Sequence, residues 1–80
     1  MGEPLLKIGQ LAKLTGVLPS TINYYTNEGL IVAAERSRGG YRLYHPGTVQ
    51  QVKSIQKFQE DMRLTIAEIR DRIAGNRISR

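Results

Sequence analysis

The stretch Pro19-Ser20-Thr21-Ile22-Asn23-Tyr24-Tyr25-Thr26-Asn27-Glu28-Gly29-Leu30-Ile31 decides how the rest of this chain is read. Pro19 suits the first turn of a helix, where its missing N–H is not needed, and Gly29 suits the end, so the spacing predicts a helix of about ten residues. Ile22 is its only aliphatic residue before the glycine, and together with Tyr25, three positions on, it marks the face that anchors the helix. Ser20, Thr21, Asn23, Tyr24 and Asn27 are left for the opposite face. They are uncharged donors and acceptors, suited to phosphate oxygens and base edges, where an ordinary solvated face would carry Lys or Glu.

Working outward toward the N-terminus, Ile8, Leu11, Ala12 and Leu14 follow helical spacing, with Gly9 near the start and Lys7, Gln10 and Lys13 turned outward. Gly16 can take the left-handed conformation that ends this helix. Two short helices joined by a glycine-containing turn form a helix-turn-helix over about residues 8–29, whose second helix normally enters the major groove of DNA. Ahead of it, Leu5-Leu6 is expected to lie along the core as an extended piece.

Toward the C-terminus, Leu30-Ile31-Val32 and Tyr41-Arg42-Leu43-Tyr44 read as two strands joined by the charged, glycine-rich segment 33–40. That is a wing over about residues 30–44 with a flexible basic tip. Arg36, Arg38 and Arg42, interleaved with Tyr41, are its candidate phosphate contacts, and Tyr44 also fits a core position. A helix pair over about 46–75 follows. His45-Pro46 is expected to open its first helix, on which Val49, Val52, Ile55, Phe58 and Met62 form an apolar stripe. Thr65 with Glu68 is a capping box for the second helix, Ile66, Ile69 and Ile73 its buried face, Arg70, Asp71 and Arg72 its outer side, and Gly75-Asn76 its end.

The totals exclude several classes. Eighty residues make one small domain, which buries roughly 60% of its unfolded surface and leaves no room for a deep catalytic cleft. The chain has no cysteine and one histidine, so neither a disulfide framework nor a conventional zinc site is expected, and no cofactor is implied. No apolar run approaches a membrane span and no signal segment opens the chain, so nothing directs it out of the cytoplasm, where it is expected. The net charge is +5. Residues 1–40 carry four Lys or Arg against three acids and residues 41–80 carry eight against four, so the excess lies in the second half. Such a balance suits a polyanionic partner. Glu60, Asp61, Glu68 and Asp71 are helix-surface carboxylates without an accompanying nucleophile and base, and no enzyme is expected.

Taken together, these residues resemble the DNA-binding domain of the MerR family of bacterial transcription regulators, from Lys7 to Ile73. The resemblance is carried by Ile8-Gly9-Gln10-Leu11-Ala12 with Thr15-Gly16-Val17, by Thr21, Ile22, Tyr24, Tyr25, Gly29 and Leu30, by Gly40-Tyr41-Arg42-Leu43-Tyr44, and by Ile69-Arg70 with Ile73. Asn23 and Thr26 depart from the Arg and Glu usual in the family, Leu18 from a capping Ser for which Ser20 is expected to substitute in part, and Arg63 from a glycine at the turn before the last helix.

The expected fold is therefore mainly α, a winged helix-turn-helix of four helices with a two- or three-stranded β wing. The expected function is sequence-specific binding of double-stranded DNA as a transcription regulator. Ser20, Thr21 and Asn23 would lie nearest the bases, with Asn23 suited to bidentate pairing with adenine. Tyr24, Tyr25, Arg36, Arg38, Tyr41 and Arg42 would position the domain on the backbone. The resemblance further implies a near-palindromic promoter site, a homodimer joined through a coiled-coil helix absent from these 80 residues, and a place on the cytoplasmic nucleoid. Two alternatives share the fold: a small excisionase-like architectural protein that bends DNA, and a winged-helix adaptor that binds only protein.

Overall fold

A computed structural model describes the backbone of residues 4–77 and the side chains of residues 4–74. The order of elements is β1 (Leu6–Lys7), α1 (Ile8–Thr15), α2 (Pro19–Asn27), β2 (Glu35–Arg36), β3 (Arg42–Tyr44), α3 (Thr48–Asp61) and α4 (Ile66–Arg77). The three strands form an antiparallel sheet in the order β1-β3-β2, with Leu6 opposite Tyr44 on one side of β3 and Arg36 opposite Arg42 on the other. The extended piece expected at Leu5-Leu6 lies one residue further on, as the edge strand Leu6–Lys7. The architecture is the mainly helical winged helix-turn-helix that the sequence implies, and no helix among the described residues is long and apolar enough to cross a membrane.

α1 closes as expected on Gly16 in the left-handed region, whose N–H donates to the Ala12 carbonyl. Its buried positions are Leu11, Ala12 and Thr15, whereas Leu14 is 56% exposed. At 100° per residue, Leu11, Thr15 and Ala12 span one face and Leu14 falls outside it, so the expected apolar spacing included one residue too many. Thr15 tolerates burial because its hydroxyl donates to the Leu11 carbonyl at 2.8 Å. Leu18 caps α2 without a side-chain bond, and Ser20 does not take over that role.

The segment Leu30-Ile31-Val32 is not a strand; β2 lies further on, at Glu35–Arg36. The Leu30 N–H donates to the Tyr25 carbonyl and the Gly29 N–H to that of Thr26, with Gly29 left-handed. This double closure of the helix end uses the amide a sheet would have needed. Leu30 and Ile31 are consecutive and both buried, which a strand with alternating faces does not allow.

Further along, α3 begins at Thr48, two residues later than His45-Pro46 suggested. A turn comes first, in which Thr48 N–H donates to the His45 carbonyl and Val49 N–H to that of Pro46. Val52 and Ile55 are buried and Val49 and Phe58 pack against them, but Met62 is 47% exposed. The helix has ended at Asp61, and Leu64 packs against the core in its place. α4 starts on the predicted capping box, with the Thr65 N–H donating to Glu68 Oε1 at 2.9 Å and the Glu68 N–H to Thr65 Oγ1 at 3.2 Å. Its helix runs through Gly75-Asn76 to Arg77, since a glycine costs only about 1 kcal/mol relative to alanine and nothing here removes the hydrogen bonds. The tail at 78–80 lies outside the described residues, as does Glu3 at the other end.

Two local features yield stability predictions. Arg63 has φ 53°, the only non-glycine residue in the left-handed region among those described. That conformation costs an L-residue roughly 1–2 kcal/mol, against about 0.5–1 kcal/mol of extra chain entropy for glycine. Arg63→Gly is expected to stabilise the fold by about 0.5–1 kcal/mol, a rise in Tm of about 2–8 °C by calorimetry. The backbone N–H and then the hydroxyl of Thr65 hold the Glu68 carboxyl below the usual carboxylate range. Its contribution is therefore complete above that range and is lost as pH falls through the lowered value. The difference in Tm between the native chain and Glu68→Gln is expected to shrink on acidification through this window.

Candidate nucleic-acid interface

Strand β3 and helix α2 meet along two rungs. Side chains two apart on a strand share a face, so Arg42 and Tyr44 both point toward α2. Tyr44 is fully buried and its hydroxyl lies 2.8 Å from Thr26 Oγ1, which itself donates to the Ile22 carbonyl. One rung nearer the wing tip, Arg42 Nη1 donates to Asn23 Oδ1 at 3.0 Å and Nη2 to Asn27 Oδ1 at 2.9 Å. Asn23 and Asn27 are four residues apart, the spacing that puts two side chains on one helix face within reach of a forked guanidinium.

This pairing joins the polar helix and the basic hairpin into one surface. Ser20, Asn23, Tyr24 and Asn27 are all exposed and fall within an arc of about 100° on α2. Tyr24 and Arg42 therefore face the same side of the molecule. Thr21 is half-buried at the border of that arc. A second groove runs between α1 and the wing, with Lys7, Gln10 and Lys13 on one wall and Ser37, Arg38 and Tyr41 on the other. The cationic surface thus extends beyond the wing to the outward lysines of α1.

The wing tip is more ordered than its composition suggested. Ser37 N–H donates to the Tyr41 carbonyl, Gly40 N–H to the Ser37 carbonyl, and Tyr41 N–H to Ser37 Oγ. Gly40 makes the turn at φ 85°, and Gly39 leaves room for the Tyr41 ring, which a Cβ would meet at 3.1 Å. Arg36 Nη1 donates to the Gly40 carbonyl at 2.8 Å, so this arginine also braces the tip. Arg38 and Tyr41 remain exposed on it.

Tyr25 lies on the anchoring face that its spacing from Ile22 predicts, and not among the backbone contacts also expected of it. Tyr25 is 3% exposed, its ring in the core and its hydroxyl donating to Gln59 Oε1 on α3 at 2.7 Å. Tyr24, the next residue, is 46% exposed. A helix turns 100° per residue, so adjacent tyrosines cannot share a face, and the one in register with Ile22 goes inward. Burial, then the nearby Glu60 charge and Tyr24, push the Tyr25 phenol up, so it stays a neutral donor. Asn27 shares the uncharged face with Asn23, as their four-residue spacing signals. What could not be read locally is that Arg42 lies opposite both.

At the other end of α2, Arg70 of α4 reaches Glu28. Its Nε donates to the Glu28 carbonyl at 2.9 Å and its Nη2 to the carboxylate at 2.5 Å. The carbonyl contact satisfies an acceptor that a helix end otherwise leaves open.

Known proteins share this fold. A family model described as "MerR HTH family regulatory protein" matches residues 6–76. The mercuric resistance operon regulatory protein of Bacillus cereus is 42% identical over 69 residues, covering 86% of this chain and 51% of that protein. The crystal structure of the transcription regulator PbrR691 from Ralstonia metallidurans CH34, in complex with lead(II), superposes with TM-score 0.79 at 30% identity, over 91% of this chain and 56% of the other. HiNmlR, a MerR family regulator lacking the sensor domain and bound to promoter DNA, shares the fold with TM-score 0.74 at 18% identity, over 96% of this chain and 60% of the other. The chain spans 29–51% of the length of several curated relatives it matches.

The contrast between the two tyrosines can be measured directly. Tyr25→Phe leaves the half-buried Gln59 without its donor and is expected to cost about 1 kcal/mol in urea denaturation. Tyr24→Phe is expected to stay within about 0.5 kcal/mol.

Proposed function

The chain belongs to the MerR family of helix-turn-helix regulators, and from that premise we propose that these residues bind duplex DNA sequence-specifically to regulate transcription. The observation that supports this reading best is the double hydrogen bond from Arg42 to Asn23 and Asn27. It sets a helix rich in uncharged donors and acceptors beside a basic hairpin, so that one face of a duplex can meet both.

In this reading α2 enters the major groove with Ser20, Thr21 and Asn23 nearest the bases, while Tyr24, Arg38, Tyr41 and Arg42 lie along the phosphates. Arg36, engaged with Gly40, keeps the tip in shape and presents its remaining N–H groups there. Tyr25 supports the site from inside. Its ring lies in the core and its hydroxyl ties α2 to Gln59 of α3. The action proposed is binding and positioning, with no chemical step. A near-palindromic promoter site read by two copies, in the cytoplasm on the nucleoid, belongs to the same proposal. HiNmlR bound to promoter DNA supports the choice of duplex.

Electrostatics makes the reading measurable. If four phosphates are neutralised, the logarithm of the association constant should fall against the logarithm of salt concentration with a slope near about −3.6. Fluorescence anisotropy on a duplex enriched from a random pool is expected to give that slope. Arg38→Ala with Arg42→Ala is expected to lower affinity and make the slope shallower by about 1.8. Binding indifferent to salt, or a double variant that binds as the native chain does, overturns the proposal.

A further inference from the structure

We propose that Arg42 determines which base Asn23 reads, turning the Asn23 amide into a donor that selects guanine rather than adenine. The proposal rests on the duplex-binding reading above.

The argument begins with the chemistry of the guanidinium, which has five N–H donors and no acceptor. The orientation of an asparagine amide is ordinarily inferred from its surroundings, and here the partner leaves one choice. The atom of Asn23 at 3.0 Å from Arg42 Nη1 must be oxygen, and so must the atom of Asn27 at 2.9 Å from Nη2. Both amides therefore turn their oxygens to the wing, and their NH₂ groups point away from it.

The consequence lies in what this cluster offers to a base. Bidentate recognition of adenine takes both halves of an amide, the oxygen accepting from N6 and the nitrogen donating to N7. With Oδ1 of Asn23 already held by a charged donor, adenine would have to share or displace that bond. Guanine presents only acceptors at the corresponding positions, O6 and N7. The NH₂ groups of Asn23 and Asn27 and the unused N–H groups of Arg42 form a patch of donors that meets those acceptors without disturbing any bond already made. The same arrangement holds Asn23 in one rotamer before contact, so less side-chain freedom is lost on binding.

Arg42 is thus a positioning residue for Asn23 in addition to any phosphate it touches. Its own half-buried setting favours this, because Tyr44 two residues on fixes the strand against α2.

Selection of bound sequences from a random duplex pool, run in parallel with the native chain, Asn23→Ala, Arg42→Ala and Arg42→Lys, tests the assignment. The native chain is expected to enrich guanine at one position whose preference Asn23→Ala reduces by about fivefold or more. Arg42→Ala frees the amide, and adenine is expected to rise at that position. Arg42→Lys keeps the charge but cannot span both oxygens, and is expected to weaken the guanine preference by a larger factor than it weakens overall affinity. Adenine at the Asn23-dependent position in the native chain overturns this proposal and leaves duplex binding standing, as does a guanine preference untouched by Asn23→Ala. Enrichment of no duplex at all by the folded native chain overturns both.

Discussion

The rest of the structure depends on the burial of Tyr44 with its hydroxyl against Thr26. Tyr44 sits on the central strand of a three-stranded sheet whose strands have only two or three residues each. Such a sheet has little stability of its own. Placing a whole tyrosine ring in the core ties it to the helices, and the phenol then requires a partner. Thr26 supplies it while keeping its own bond to the Ile22 carbonyl, so a strand and a helix that are eighteen residues apart in sequence are set at one distance and one register.

That register also sets a second contact between the two elements. The strand repeats every two residues, so a residue two before Tyr44 faces α2 as Tyr44 does, and a long side chain there can reach helix residues on either side of Thr26. Arg42 occupies that place, and Asn23 and Asn27 receive it. Asn23 and Thr26, where the sequence departs from the pattern of the family it resembles, are mutually consistent. Thr26 is small enough to lie under Tyr44, and Asn23 can accept from an arginine that another arginine would repel. The positive charge of the surface is carried by the wing and by Lys7 and Lys13 rather than by the helix itself.

α2 is also held where it ends. Gly29 and Leu30 close its last turn, and Arg70 adds a bond from α4 to the Glu28 carbonyl. The accompanying ion pair is largely exposed and contributes little by itself. The contact to the backbone matters more, because it links α4 to the helix that carries the uncharged surface. Core packing through Ile22 and Tyr25, the strand through Thr26, Asn23 and Asn27, and α4 through Glu28 thus reach α2 from three sides.

The sequence by itself determined the features whose causes are local: the two short helices with Gly16 between them, the capping box at Thr65 and Glu68, the second strand of the hairpin with Arg42, and the uncharged face of α2. Each follows from residues within one turn of helix or one tight turn of chain, where spacing and side-chain type suffice. Helical spacing had already put Tyr25 with Ile22 on the anchoring face and Tyr24 on the other, but only the tertiary structure decided that Leu14 and Met62 remain exposed, and that Leu30 and Ile31 close a helix instead of forming a strand. It alone turned the Asn23 oxygen to Arg42. These outcomes depend on which distant element supplies the opposing surface, and a spacing of three or four residues constrains a face without saying what will lie against it.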